Sequence, residues 1–213
     1  TVLNNSVTVE GGNITNIVYG GRTKSGQTTG NTVTINGGEI GRIHGGRSDN
    51  GEVTSNTINL NGGKVTGETY AGYSDSGGTV AGNTINLNGK NGQTGEIDIT
   101  GAWLYGSNAA ATTGQSNNTL NIRNYTGSAK NIGNFDRIDL DLTDQILEQG
   151  SAIITLTESK TTNLDNSTIR IHSSGAGIAK TDSDLVDRYE VIKNETGAGL
   201  TAENVTYEKG HIT

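Results

Sequence analysis

Apolar and polar residues alternate in five short runs: "SVTV" from Ser6, "TVTI" from Thr32, "TINL" from Thr57, "TINL" from Thr84 and "TLNI" from Thr119. A period of two marks a strand with one buried face. The inward pairs are then Val7/Val9, Val33/Ile35, Ile58/Leu60, Ile85/Leu87 and Leu120/Ile122. A turn follows each of the first four runs, written "EGG", "NGG", "NGG" and "NGK". Gly there supplies the positive φ that a sharp corner needs. A second apolar set comes next: Ile14 and Val18, Ile40 and Ile43, Val65 and Thr69, then Ile97 to Leu104. A Gly-rich stretch returns the chain, with Val53 or Val80 as a third inward contact.

Counted from the Asn ahead of each run (Asn5, Asn31, Asn56, Asn83, Asn117), the spacings are 26, 25, 27 and 34 residues. The last is long because "SNAAATTGQS" expands a loop. Periods of this size belong to stacked repeats. One repeat offers about five apolar side chains, too few to offset the entropy of ordering some two dozen residues. Stacked repeats bury one another's faces and extend one another's hydrogen bonding. The pattern therefore predicts an all-β fold: a single parallel β-helix, or solenoid, with coils of about 25–27 residues. A propeller blade needs a longer period, and a β-sandwich would be built of antiparallel hairpins without this repetition. The Asn column (Asn31, Asn56, Asn83 and Asn117 or Asn118) fits the same picture, since stacked amides can hydrogen-bond up a ladder at a corner.

Beyond Asn117 the repeat blurs. Alternation persists in "RIDLDL" (Ile138, Leu140, Leu142), "AIITLT" (Ile154, Leu156) and "STIRIH" (Ile169, Ile171), with later strands near Tyr189 and Val205. "TDQILEQG", from Thr143, has the look of a helical turn. No linker separates the halves, so residues 1–213 read as one segment: regular Gly/Asn-rich repeats over 1–116 and less regular coils over 117–213.

Composition narrows the partners. Only 30% of the 213 residues are hydrophobic and 4% aromatic, while Gly numbers 33 and Pro, Cys and Met are absent. A thin, repetitive core suits such a chain. Net charge is −7 with no basic stretch, which argues against nucleic acid. No apolar run reaches membrane-spanning length and no secretory signal is evident. The absence of an initiating Met and the ending "GHIT" read as a piece of a longer protein. Without Cys there is no disulfide framework and no thiolate metal site.

Candidate chemistry is sparse. The densest charge cluster is "FDRIDLDL", with Asp136, Arg137, Asp139 and Asp141. Outward acids on a half-buried strand are ordinarily solvated surface. His44, His172 and His211 lack a nucleophile elbow or any Ser and Asp that sequence places beside them. "SDNGE" from Ser48 and "SDSGG" from Ser74 recur at one loop position, but one carboxylate per loop is too few for Ca²⁺, and a local turn role is the plainer reading. No metal and no cofactor is expected.

Two outward columns remain. Thr32, Thr34, Thr57, Asn59, Thr84 and Asn86 form a polar, nearly uncharged face that reads first as ordinary exposed strand surface and, as the alternative, as a face for pairing with another solenoid; its drift from Thr to Asn argues against ice binding. Tyr19, His44, Tyr70 and Tyr105 align through "VYGG", "IHGG", "TYAG" and "LYGS", with Arg22, Arg47 and Tyr73 three positions after the first three. Aromatic and Arg side chains beside Gly suit recognition, flat rings suit sugars, and Gly20, Gly45 and Ala71 would leave the rings accessible. The plainer alternative is an aromatic ladder that only covers the turn.

The rhythm "VYGG…GNTVTINGG…NTINLNGG" followed by "NIGNFDRIDLDL…GSAIITLTES" resembles passenger segments of type V autotransporter adhesins of Gram-negative bacteria. The likeness is strongest from about Asn31 to Thr157. It implies a right-handed β-helix at the cell surface, exported across the outer membrane by a barrel this segment lacks. The family includes proteases and esterases, and no residue match to an enzymatic member is visible. The expected function is non-catalytic adhesion, with a host surface protein or glycan, or a like molecule on a neighbouring cell, as partner. The alternatives are a purely structural stalk and, more weakly, a polysaccharide-active enzyme.

Overall fold

A computed structural model of the chain describes residues 1–89, 96–108, 116–142, 152–173 and 190–209. Over these residues the protein is all-β, and its strand pairings are parallel. The expected helical turn at Thr143, the loop insertion at Ala109–Gln115, Lys90 of the fourth turn and His211 lie outside the described residues.

One eight-stranded sheet runs the length of the molecule in sequence order: Ser6–Val9, Thr32–Ile35, Thr57–Leu60, Thr84–Asn88, Thr119–Arg123, Arg137–Asp141, Thr168–Ser173 and Asn204–Lys209. Its register joins Val7, Val33, Ile58, Ile85, Leu120, Ile138, Ile169 and Val205 into one column. Val33 through Ile138 are completely buried, whereas Val205 at the last strand is 54% exposed. The difference is neighbours: an inner strand has a repeat on each side, and an end strand has only one.

The same register corrects the repeat boundary. Thr119 pairs with Thr84, so Asn118 stands in the Asn column and Asn117 does not. Asn117 turns the corner instead, at φ 59°, exposed to solvent. Asn tolerates this left-handed conformation better than most residues.

A second sheet is centred on the long strand Glu39–Asn50. Asn13–Tyr19 and Arg22–Ser25 pair with it on one side; Gly63–Val65 and Glu68–Ser74 pair with it on the other. Ile97–Asp98, Trp103–Tyr105 and Asn131–Gly133 extend it. Inward it stacks Val18, Ile43, Thr69, Leu104 and Ile132. A narrow corner sheet of Val2–Leu3, Thr28–Thr29, Val53–Thr54 and Val80–Ala81 completes the first half, with Val53 and Val80 fully buried against each other. The chain visits these three sheets in turn and returns to the first one step along.

After Ser116, which bridges to Ala81, the corner sheet ends. Three residues, Asn134–Asp136, now connect the second sheet to the first, and Phe135 is buried where the corner was. Gly127–Ala129, Ile154–Leu156 and Ile192–Asn194 form a three-stranded sheet, and Thr162–Asn163 pairs with Leu200–Thr201. A single apolar cluster nevertheless runs from Val9 to Ile192 through both halves.

Candidate binding strip on the second sheet

The backbone beneath the aromatic column is set by what lies inside. Asn31, Asn56, Asn83 and Asn118 are buried and form a continuous amide ladder. Each Oδ1 accepts two bonds from the preceding Asn, one from its backbone N–H and one from its Nδ2: Asn31 donates to Asn56 at 3.0 and 2.9 Å, and Asn56 to Asn83 at 3.0 and 3.0 Å. The second hydrogen of each Nδ2 goes to a corner-sheet carbonyl, Thr28 for Asn56, Val53 for Asn83 and Val80 for Asn118. Every polar atom of the inner amides is matched, as a buried group requires. Asp136 occupies the next position and ends the ladder, its carboxylate accepting from the Asn118 N–H at 2.8 Å.

The Gly doublets make room for this ladder. A Cβ on Gly21 would sit 2.8 Å from the Asn31 Nδ2, and on Gly46 or Gly72 it would sit 2.6 Å from the Nδ2 of Asn56 or Asn83. A Cβ on Gly20 would strike the Gly45 carbonyl, and one on Gly45 the Ala71 carbonyl. These small residues face inward and along the stack. They are small because the interior and the next repeat are close, so the expectation that Gly20, Gly45 and Ala71 serve to expose the rings is corrected. The signal was present in the sequence as the joint recurrence of Gly-Gly and Asn.

Outward, the same strands bring the seven predicted binding residues together. Tyr19, His44, Tyr70 and Tyr105 stand in register. Their ring centroids step by 5.3, 5.4 and 5.2 Å, edge-on at the first two contacts and stacked at the third. Tyr73 stacks on His44 at 4.9 Å and meets Tyr70 edge-on. Arg22 lies over Tyr19 and Arg47 over Tyr73, 5.4 and 5.1 Å from the ring centroids, within cation–π range. Arg47 is clamped: Asp75 takes its Nε at 3.0 Å and its Nη2 at 2.9 Å, and its Nη1 donates to the Tyr19 hydroxyl at 3.4 Å. This pairing also shows what "SDSGG" does, since the Asp75 carboxylate serves Arg47 while the Ser74 hydroxyl accepts from the Gly78 N–H.

Exposure is uneven. The four tyrosines are half-buried and Arg22 is exposed, but His44 is only 3% exposed, and its Nδ1 has no hydrogen-bond partner among the described residues. Burial, with Arg47, Arg42 and Arg22 adding to it, pulls the His44 pKa down to about 3, so the ring is neutral at pH 7. Burial and the nearby Glu68 raise the Tyr70 hydroxyl, and burial with Glu158 and Glu68 pushes Tyr105 up to about 12. Partial burial works against ionising Glu158, yet hydrogen bonds from Lys160, Asn131 and Trp103 hold its carboxyl below the ordinary value.

Sequence reasoning missed a flanking row. Ile17, Arg42, Glu68, Trp103 and Asn131 stand in register two positions before the aromatic column, hence on the same outward face. Two-residue spacing within the strand was the available clue.

The other candidates have structural partners. Asp139 pairs with Arg137 at 2.9 Å, and Asp141 with Arg123 at 3.6 Å and His172 at 3.8 Å. Among the described residues no three metal-ligating side chains cluster. On the first sheet, Thr32, Thr34, Thr57, Asn59, Thr84 and Asn86 share the outward face in register. The drift from Thr to Asn proves to be a second ladder, Asn121 donating to Asn86, Asn86 to Asn59 and Asn59 to Thr34. A third runs from Asn88 through Asn61 and Asn36 to Glu10 along a shallow groove. No known protein family, curated protein or solved structure matches this chain.

Proposed function

We propose that this chain is a non-catalytic adhesive segment whose repeats wind as one right-handed parallel β-helix displayed at a bacterial cell surface, after export across the outer membrane. Tyr19, Arg22, Arg47, Tyr70, Tyr73 and Tyr105 form the contact strip around the predicted binding residue His44, whose burial leaves it to support the rings from beneath, and the partner is a host surface protein or glycan. The observation that carries this reading is the unbroken outward aromatic column, flanked by arginines and spanning four repeats. Its residues come from separate repeats, so the strip exists only when the repeats are stacked. Half-buried rings are held in place and lose little freedom on binding, which favours recognition. The resemblance to autotransporter passengers supports the location.

Binding of the purified chain to glycan arrays and host cells tests this. Native protein should bind, and the Tyr70→Ala/Tyr105→Ala variant, folded by circular dichroism, should not. Binding that survives both changes removes the site. A native chain that binds neither cells nor glycans supports the structural stalk instead, a reading favoured by the burial of His44 within the column. The face of Thr32, Thr34, Thr57, Asn59, Thr84 and Asn86 supports side-by-side association between like chains, since it is in register and carries no charge over three repeats. Sedimentation of a monomer at high concentration would count against that second contact.

A further inference from the structure

The aromatic column stops at a glycine. Gly133 is in register with Tyr105, so the next rung of the column carries no side chain. Tyr70 stacks on the other side of Tyr105, with centroids 5.2 Å and planes 25° apart, and covers one face of its ring. Towards Gly133 no further ring stacks on Tyr105 among the described residues. A Cβ on Gly133 would meet only the Tyr105 ring, at 3.4 and 3.5 Å, with no other described atom within 4 Å. Gly20, Gly45 and Gly46 differ: a Cβ there would strike a carbonyl or the Asn ladder. Those three lack a side chain because there is no room, whereas Gly133 lacks one where there is room. Gly133 is half-buried, so this gap opens to solvent.

The gap has a polar rim. Asn131 stands two residues earlier on the same strand face, about 7 Å along, and continues the row of Trp103. Its Nδ2 donates to Glu158 Oε2 at 3.2 Å, and Lys160 Nζ lies 3.1 Å from Glu158 Oε1. The carboxylate is therefore fixed in place and its charge is balanced, while the Lys160 side chain remains 72% exposed.

We infer that the gap over Gly133 is a subsite for one uncharged pyranose, stacked by its C–H face on Tyr105 and hydrogen-bonded at its edge by Glu158 and Lys160. The assignment rests on the strip being a binding surface and names the ligand at its Gly133 end. A pyranose has an apolar face for the phenol ring and a hydroxyl edge for the rim. A partner's ammonium is less suited, because Lys160 already supplies the positive charge to Glu158. An acidic sugar would bring a second carboxylate towards Glu158, and an aromatic side chain would leave the rim without partners.

The full chain is titrated with the methyl glycosides of glucose, galactose and mannose, and with methyl glucuronide, N-acetyltyrosinamide and N-acetyllysinamide. Calorimetry and the fluorescence of Trp103, the sole tryptophan, report binding. At least one neutral glycoside should bind with a dissociation constant on the order of 1 mM. Gly133→Tyr supplies the missing ring and should weaken that binding about tenfold or more. Tyr105→Leu removes the aromatic face without adding bulk and should do the same, so the test survives if one variant misfolds; melting temperature shows which are folded. Glu158→Gln should weaken binding about tenfold. No saturable response to any neutral glycoside, or binding unchanged in folded Gly133→Tyr, overturns the subsite. Tighter binding of the glucuronide or of either amide overturns the uncharged sugar. Host-cell binding by the native chain is measured alongside. If the subsite fails but cell binding persists and is lost in Tyr70→Ala/Tyr105→Ala, the strip stands; if both fail, the strip falls with it.

Discussion

From Asn31 to Asn118 the inner corner is filled by hydrogen-bonded amides; from Phe135 onward it is filled by a phenyl ring and by Leu164. Both interiors exclude water, but they make different demands on the chain. The amide ladder needs a partner for every N–H and C=O, so it needs a corner sheet that presents the carbonyls of Thr28, Val53 and Val80. It also needs facing residues without a Cβ, which Gly21, Gly46 and Gly72 supply. The apolar corner has no such directional demand, so its connection shrinks to Asn134–Asp136 and its sequence need not repeat. Regularity in the first half is thus a consequence of directional bonding, and its loss in the second half follows from dispersion and burial taking over. Asp136 sits at the junction as an acceptor that closes the ladder, and Ser167, the next residue in that column, bonds the Phe135 carbonyl instead.

The largest expected effect separates the two corners. Asn56→Leu strands the Asn31 donors, the Thr28 carbonyl and one acceptor site of Asn83, all buried. At about 1–3 kcal/mol for each unsatisfied group, the loss should reach about 4 kcal/mol or more in urea unfolding. Phe135→Leu should cost only about 1–2 kcal/mol, because the apolar corner can relax. Similar losses would mean that the corners do not differ in kind.

The first half also buries a neutral histidine, which ties its stability to pH. In the folded state burial holds the His44 pKa at about 3, against 6.5 for an imidazole in water. Below pH 6.5 the unfolded chain takes up a proton that the folded chain refuses, so stability falls as pH drops towards 3. Two pH units below 6.5 the loss should be about 3 kcal/mol. The pH slope of the melting temperature should shrink in His44→Phe, and an unchanged slope would remove His44 as its source.

Gly46→Ala should cost about 2 kcal/mol by overpacking, since its Cβ would lie 2.6 Å from the Asn56 Nδ2. Gly133→Ala, on the strand that follows Tyr105, would make ordinary contacts of 3.4 and 3.5 Å with that ring and should be nearly neutral. Thermal melts of the pair show whether glycine is demanded by the ladder or merely tolerated. The smallest effect is at the junction: Asp136→Ala should cost about 1 kcal/mol by freeing the Asn118 N–H. Asp136→Asn should cost less, because an amide oxygen can still accept.

Much of this was legible along the chain. Period-two alternation placed Val33, Ile58, Ile85 and Leu120 in one inward column, because a strand's faces follow directly from residue parity. The recurring Asn pointed to an amide ladder, and the recurring Tyr and His to a column of rings. The true start of the fifth repeat was not legible, since Asn117 and Asn118 are identical in type and only hydrogen bonding distinguishes them.

What sequence by itself determined is therefore local and periodic: which residues face inward, where the corners fall, and which side chains recur at one point of the repeat. Tertiary structure alone decided which groups meet across repeats. Asp75 reaches Arg47 28 residues away, Asp136 closes a ladder begun near the N-terminus, and Arg42, Glu68 and Trp103 join a strip that no single repeat contains. The physical reason is that alternation is a property of one strand, whereas a hydrogen bond or ion pair between repeats depends on angles and distances fixed only after the repeats have stacked.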